Sequence, residues 1–171
     1  MRGTTIRPTT EDDWERVRAL RLEMIQDTPK AYGERLADAE QLQERDWRRR
    51  GRREHDVGGT TLAAIDADGT WVGTMGVYVP GPRVGPLLVG VYVAPSHRGR
   101  ATGVADALLD EIEVWAATHG SALRLHVHEE NTRAQAFYAR RGYEPTGATE
   151  AYVLDPSELE VEMIRQLRGS L

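Results

Sequence analysis

The architecture of the chain follows from the segment Val89-Gly90-Val91-Tyr92-Val93-Ala94-Pro95-Ser96-His97-Arg98-Gly99-Arg100-Ala101-Thr102-Gly103-Val104. It joins an apolar run typical of a β-strand to a glycine-bearing turn, and the turn leads directly into an amphipathic helix. Small residues let the chain curl tightly, so the main-chain N–H groups of residues 98–104 can point at one anion. The unpaired N–H donors of the helix start add the positive end of its dipole. The segment therefore predicts a site that holds a pyrophosphate.

Length and composition limit the class of protein. The chain has 171 residues, of which 40% are apolar and 29% charged, and this predicts one globular domain over residues 1–171. No apolar run approaches the ~20 residues that a membrane helix needs, so we expect no membrane association. The first residues lack the apolar segment of a secretory signal, and we expect a cytoplasmic protein.

The chain contains no cysteine. This excludes disulfides, thiolate metal sites and a mechanism in which an enzyme cysteine carries a covalent acyl group. A transferase of this composition must move its group directly between two bound substrates. The net charge of −5 disfavours nonspecific binding to nucleic acid, and we expect no nucleic-acid partner.

Periodicity predicts the elements before the phosphate turn. A short strand at residues 4–7 is followed by a helix over residues 14–26, which begins after a cap built from Thr10 and Asp13. A second helix is predicted from Arg35 to Gly51. The period then changes to two, which predicts three strands at residues 61–67, 71–79 and 86–93.

The elements after the turn alternate between helix and strand. The helix from Val104 stops at Gly120, and a strand at 122–128, a helix at 131–141 and a strand at 143–148 follow. Residues 159–167 alternate apolar and charged side chains and are interpreted as a final strand, with a helix as the alternative. A strand–helix–strand crossover around the turn implies two parallel strands inside an otherwise antiparallel sheet.

Two separated segments resemble the signature segments of the GCN5-related N-acetyltransferases, the GNAT family. They are Val91-x-Val93-x-Pro95-x-x-Arg98-Gly99-x-Ala101-x-Gly103 and Asn131-x-x-Ala134-x-x-Phe137-Tyr138-x-x-x-Gly142-Tyr143. The resemblance implies an α/β (α+β) fold, with a mixed, mainly antiparallel sheet of six to seven strands, a central parallel crossover and helices on both faces. One departure is Ala101, where the family usually has glycine; we expect binding to survive because alanine adds only one methyl group.

The resemblance also implies acetyl-CoA as co-substrate. Its pyrophosphate would lie on Arg98, Gly99, Arg100, Ala101, Thr102, Gly103 and Val104, and its pantetheine amides would meet the exposed main chain of Val91 and Val93. Asn131 would donate a hydrogen bond to the same molecule, although Asn at a helix start is by itself a good N-cap. A turn of this kind can also be a structural connection without a ligand.

Two residues are candidates for proton transfer. Tyr138 occupies the family's place for the general acid that assists the departing thiolate, and its alternative role is a core aromatic beside Phe137. His126 is the candidate base, because it stands five residues before Asn131, where several relatives carry a glutamate proposed as base. His126 can equally be a hydrogen-bonded strand residue. A metal site with His128 has no evident third ligand beyond Glu129 or Glu130, and we expect no metal.

Six arginines, at positions 45, 48, 49, 50, 52 and 53, form a basic run on the second predicted helix. They predict either a solvated face or a surface that recognises an acidic or phosphorylated acceptor, or RNA. The solvated face is favoured, because Trp47 is the single aromatic interleaved with them.

The sequence thus predicts an N-acetyltransferase that moves the acetyl group of acetyl-CoA directly to a primary amine, expected to belong to a small molecule. The alternatives are a catalytically weak CoA-binding regulatory module, a protein N-terminal or lysine acetyltransferase, and, ranked last, a nucleic-acid-associated protein. A homodimer is expected as a possible assembly.

Overall fold

A computed structural model describes residues 3–52, 58–81 and 83–167. Seven strands form one open sheet in the order β1-β2-β3-β4-β5-β7-β6. All neighbouring pairs are antiparallel except β4 and β5, which are parallel. The strands are β1 Thr5–Pro8, β2 Gly59–Ile65, β3 Trp71–Tyr78, β4 Leu87–Val93, β5 Ala122–His128, β6 Glu144–Tyr152 and β7 Asp155–Gln166.

Helices cover both faces of this sheet, which confirms the predicted fold class. They are α1 Trp14–Asp27, α2 Leu36–Glu40, α3 Glu44–Arg52, α4 Val104–Ala117 and α5 Thr132–Arg140. The main core lies under α4 and α5, where Leu108 and Ile112 meet Leu123 and Leu125 of β5. On the opposite face, α1 packs Leu20 and Met24 against side chains of β2, β3 and β4, and alternate residues of those strands supply the two cores.

The prediction of one helix from Arg35 to Gly51 was wrong. The chain forms two helices there, α2 and α3, and residues 41–43 separate them. The break occurs because a new helix start forms: the side chain of Asp46 accepts a hydrogen bond from the main-chain N–H of Gln43 at 3.1 Å. The break also lets Trp47 turn completely into a small core with Ile25 and Ala39.

The last two strands are longer than predicted. Strand β6 runs to Tyr152 instead of about residue 148, and β7 begins at Asp155 instead of residue 159, because the two pair along their length as a hairpin. Eight of the nine β6 residues are exposed, so no alternation of apolar and polar side chains marks this strand in the sequence. The alternative of a helix at 159–167 is excluded by the pairing of β7 with β5.

The parallel contact between β4 and β5 is short. Only two residue pairs join them, Leu87 with Arg124 and Leu88 with Leu125, and beyond these pairs the strands separate. Strand β4 also bulges, because three residue steps from Val89 to Tyr92 face two steps on β3, and Gly90 adopts a φ of +59°. The main chain of residues 89–93 on the side of β5 therefore faces a wedge instead of a partner strand.

Candidate active site

The turn that follows β4 has the features of an anion cradle. Gly99 (φ +95°) and Gly103 (φ +68°) occupy the left-handed region, and a Cβ built on either would meet no atom within 4 Å. Gly103 is the residue before the first turn of α4. Within the described ranges, the main-chain N–H groups of residues 99–103 have no hydrogen-bond acceptor. The predicted residues Arg98 to Val104 thus surround open space with unsatisfied donors at a helix start, which suits a diphosphate.

The side chain of Arg98 binds to other parts of the protein. Its Nε donates to the carbonyl of Val93 at 2.7 Å, its guanidinium pairs with the carboxylate of Asp27 at the end of α1, and it lies 5.6 Å from the ring centre of Tyr92. The side chain therefore braces the turn against β4 and α1. The neighbouring Arg100 is exposed and has no ion pair with any described residue.

The wedge between β4 and β5 contains a small cavity of about 90 Å³. It brings together four of the predicted site residues, Val91, His126, Asn131 and Tyr138. The side-chain oxygen of Asn131 accepts a hydrogen bond from the N–H of Ala134 at 3.1 Å, so the residue caps α5. Its amide NH₂ group has no acceptor among the described residues and can still serve a ligand.

Tyr138 lies in α5 and is 5% exposed, and it faces this small cavity. Burial raises the pKa of its phenol above the ordinary value, and the nearby Tyr32 adds to the effect. No described residue hydrogen-bonds to its hydroxyl. The group is therefore a protonated donor without a protein acceptor, although its ring also contributes to the core beside Phe137 and Tyr143.

The two histidines of β5 have different surroundings. His126 is half-buried, with Nε2 3.5 Å from Glu162 and Nδ1 3.5 Å from Glu150. His128 is almost completely buried; its Nδ1 accepts the main-chain N–H of Glu130 at 3.2 Å and its Nε2 lies 3.0 Å from Glu158. Both ring nitrogens of His128 therefore have protein partners. Both histidines line the small cavity, and His126 also lines the larger one described below.

A second, larger cavity of about 770 Å³ opens on the face of the sheet that carries α1 and α3. It meets the small cavity at the β4 bulge, and both are lined by Leu88, Val89, Gly90, Tyr32 and His126. Two bound molecules placed in the two cavities would therefore approach each other beside the bulge and His126.

Sequence reasoning missed two residues of this region. Tyr32 lines both cavities, and its hydroxyl donates to the carbonyl of Val91 at 3.0 Å, which fixes the bulge. Glu160 of β7 lines the larger cavity, and its carboxylate has neither a hydrogen bond nor an ion pair within the described part of the chain. Tyr32 lies outside the two signature segments, and Glu160 enters the site only through the pairing of β7 with β5.

The arginine run is divided between surface and interior. Arg48 pairs with Glu44 and Asp12, and Arg52 lies 3.8 Å from Glu11. These contacts agree with a solvated face neutralised by nearby acids. Arg50 turns inward toward Glu34, and Arg53 lies outside the described residues.

Comparison with known proteins agrees with this geometry. The sequence profile described as the Acetyltransferase (GNAT) family matches residues 18–143. The chain belongs to the GNAT family. The co-substrate of this family is acetyl-CoA, which confirms the expected donor, and the cradle and wedge described above fit it.

Solved structures of GNAT proteins share the fold. A GCN5-related N-acetyltransferase from Kribbella flavida is 25% identical with a TM-score of 0.74, over 96% of this chain and 98% of that one. A GNAT acetyltransferase from Streptococcus pneumoniae is 19% identical with a TM-score of 0.78, over 96% and 99%. Arabidopsis thaliana NAA60 in complex with acetyl-CoA is 15% identical with a TM-score of 0.70, over 96% and 98%.

No curated protein sequence matches the chain. Among the described residues, every helix is too short or too polar to cross a bilayer. The cytoplasmic location, the single domain and the homodimer stay predictions.

Proposed function

We propose that this GNAT protein transfers the acetyl group of acetyl-CoA directly to the primary amine of a small molecule. The observation that carries the proposal is the meeting of two cavities at the β4 bulge, one in the wedge between β4 and β5 and one under α1 and α3. The donor occupies the wedge and the acceptor the larger cavity, so the acetyl carbon and the amine nitrogen meet beside His126.

Main-chain groups perform most of the binding. The N–H groups of residues 99–103 hold the diphosphate, and the exposed edge of β4 between Val89 and Val93 pairs with the pantetheine amides as a missing strand would. An N–H near Val93 stabilises the charge that grows on the carbonyl oxygen. Acetyl-CoA contributes the activated thioester, and the protein contributes the groups that bind and orient it.

Tyr138 assists the departure of the thiolate. A cysteine-like thiol has a pKa of about 8.5, and burial raises the pKa of the Tyr138 phenol above that value. Transfer of the phenol proton to the thiolate is therefore unfavourable. The hydroxyl stabilises the thiolate by donating a hydrogen bond instead. Its position at the wedge, with no protein acceptor, suits this role.

His126 accepts the proton of the amine. Glu162 and Glu150, each 3.5 Å from a ring nitrogen, stabilise the imidazolium that results. Glu160 is a second candidate for the same step, because its carboxylate lines the cavity without a partner. Carboxylates near the amine favour an enzyme over a regulatory module without turnover.

The loop at residues 28–34 favours a small acceptor over a protein. Lys30 pairs with Glu130 and Glu158, and a Cβ built on Gly33 would lie 2.9 Å from the side chain of Val153. The loop thus closes the side of the larger cavity toward the β6–β7 hairpin, where a polypeptide acceptor would need an open groove.

The test combines binding and turnover. Calorimetry with CoA and with acetyl-CoA should give saturable heat, and a broad panel of primary amines should include compounds that release CoA thiol from acetyl-CoA. Absence of heat with both forms would overturn the proposal. Heat without thiol release across the whole panel would establish the regulatory module instead.

A further inference from the structure

The larger cavity has opposite charges at its two ends. Arg21 of α1 and Arg49 and Arg50 of α3 line it on the side of β1 to β3, whereas His126 and Glu160 line it on the side of β5 and β7. Strands β3, β4 and β5 separate the two ends by two inter-strand spacings, about 10 Å. Arg49 and Arg50 of α3, which packs on β2, thus lie apart from the place where acetyl transfer is proposed, and Arg21 contacts both Glu34 and Tyr32.

Two of the arginines, Arg21 and Arg50, are fixed by hydrogen bonds to the carboxylate of Glu34. Glu34 accepts a hydrogen bond from Nε of Arg21 at 2.8 Å and two from Arg50, at 2.7 and 3.1 Å. Arg21 also lies 5.0 Å from the ring centre of Tyr32, and Arg50 4.9 Å from that of Trp47. Burial alone would raise the pKa of Glu34, but the hydrogen bonds from Arg50 and Arg21 outweigh it and the pKa is lowered.

This arrangement leaves positive charge facing the cavity. The three arginines have two carboxylates close to them, Glu34 and, 3.5 Å from Arg49, Asp46. The terminal nitrogens of Arg21 have no acceptor among the described residues. A planar guanidinium with free N–H groups, fixed by its neighbours, is suited to bind a carboxylate or a similar oxyanion.

We propose that the acceptor is a small molecule with a primary amine at one end and a carboxylate or similar oxyanion at the other. The anionic end binds Arg21 and Arg49, and the ammonium end reaches Glu160 and His126 before it loses its proton. This inference rests on the proposed function for the site of transfer, but the recognition of the anion is a binding property and can be measured without turnover.

The experiment measures binding by calorimetry in the presence of CoA, which carries no acetyl group to transfer. The probes are ω-amino acids of increasing chain length, each compared with the ω-amino amide and the diamine of equal length. Since a hydrogen bond to a charged group contributes more than a neutral one, we expect the best amino acid to bind about 10- to 100-fold more tightly than its amide. The diamine should bind most weakly.

Substitutions of the cavity arginines test whether these residues cause the tighter binding of the amino acid. Arg21→Gln should remove most of the preference for the amino acid, and Arg49→Glu should reverse it in favour of the diamine. Arg49 is 72% exposed, so its replacement keeps the test independent of folding if Arg21→Gln is unstable. Arg45→Glu is the matched control, because it makes the same charge change on an exposed residue of α3 outside the cavity, and it should leave the preference unchanged.

Three results would overturn the inference: equal affinity for the three compounds at every length, no binding by any of them, or the same change in Arg45→Glu as in Arg49→Glu. None of these affects the proposed function if other amines still release CoA thiol. Conversely, a clear preference for amino acids without thiol release would keep the anion site and overturn the assignment as an enzyme.

Discussion

At the scale of single residues, Tyr138 separates binding from chemistry. Tyr138→Phe keeps the buried ring and removes only the hydroxyl, so we expect a fall in kcat of about 100-fold with an unchanged Kd for acetyl-CoA. Steady-state kinetics and calorimetry on the same preparation measure the two quantities. An unchanged kcat would remove the residue from the departure of the thiolate and leave it as a core aromatic.

His126 and Glu160 compete for the role of base, and the pH dependence of kcat/KM distinguishes them. If His126 accepts the amine proton, His126→Ala removes the limb of the profile that rises from acidic to neutral pH and lowers kcat/KM on the plateau above it by about 100-fold. Glu160→Gln, which keeps the size of the side chain, should then retain the limb. The opposite pattern would transfer the role to Glu160, and an identical profile in His126→Ala would dismiss the histidine.

At the scale of elements, the turn before α4 depends on a backbone conformation that favours glycine. Gly103 has a φ of +68°, and a Cβ there would project into the open space assigned to the diphosphate. Gly103→Ala should cost about 1 kcal/mol of stability and weaken acetyl-CoA binding about 10-fold. Denaturant unfolding and calorimetry provide the two measurements.

The control for this prediction is Gly147→Ala in β6. Gly147 has a φ of +87° and equally open surroundings, but it lies in the outer hairpin. Gly147→Ala should lose about as much stability as Gly103→Ala, and its affinity for acetyl-CoA should be unchanged. A normal Kd in Gly103→Ala would show that the turn does not hold the diphosphate in the manner proposed.

At the scale of the whole molecule, α4 joins the two halves of the sheet. It contacts β2, β3, β4 and β5, whereas the strands on either side of the wedge share two residue pairs. Leu108 of α4 is completely buried, so Leu108→Ala should lower the free energy of unfolding by about 3 kcal/mol. The midpoint in denaturant should fall while a single transition remains.

Val114→Ala is the control on the same helix. Val114 is 67% exposed, and its truncation should change the free energy of unfolding by less than about 0.5 kcal/mol. Equal effects of the two substitutions would indicate that α4 contributes little to holding the halves together.

The sequence predicts correctly the elements whose conformation depends on residues that are close together in the chain. The strand, turn and helix from residue 89 to 117 combine an apolar run, positive-φ glycines and an apolar stripe, and all three are in the structure. The break at residues 41–43 was missed because its local signal, an Asp three residues after Gln43, is weak, and because the contacts of Trp47 with distant residues also favour it. Strand β6 is exposed on both faces and forms only because β7 lies beside it.

The candidate site likewise contains residues that the sequence predicts and residues that it does not predict. Val91, Asn131 and Tyr138 belong to two continuous segments and could be named from them. Glu160 enters the larger cavity through strand pairing, and Arg21 through helix packing. Glu34, which fixes Arg21, is 13 residues away in the chain, and no spacing in the sequence relates these residues.

The short contact between β4 and β5 has a consequence for the lifetime of the protein. A donor bound in the wedge as proposed would pair with the unpaired edge of β4, so it would bind the folded chain and not the unfolded one. At a concentration 100 times its Kd, such a ligand adds about 2.7 kcal/mol to the resistance against global opening. The fraction of chains open to a protease should therefore fall as the concentration of acetyl-CoA rises.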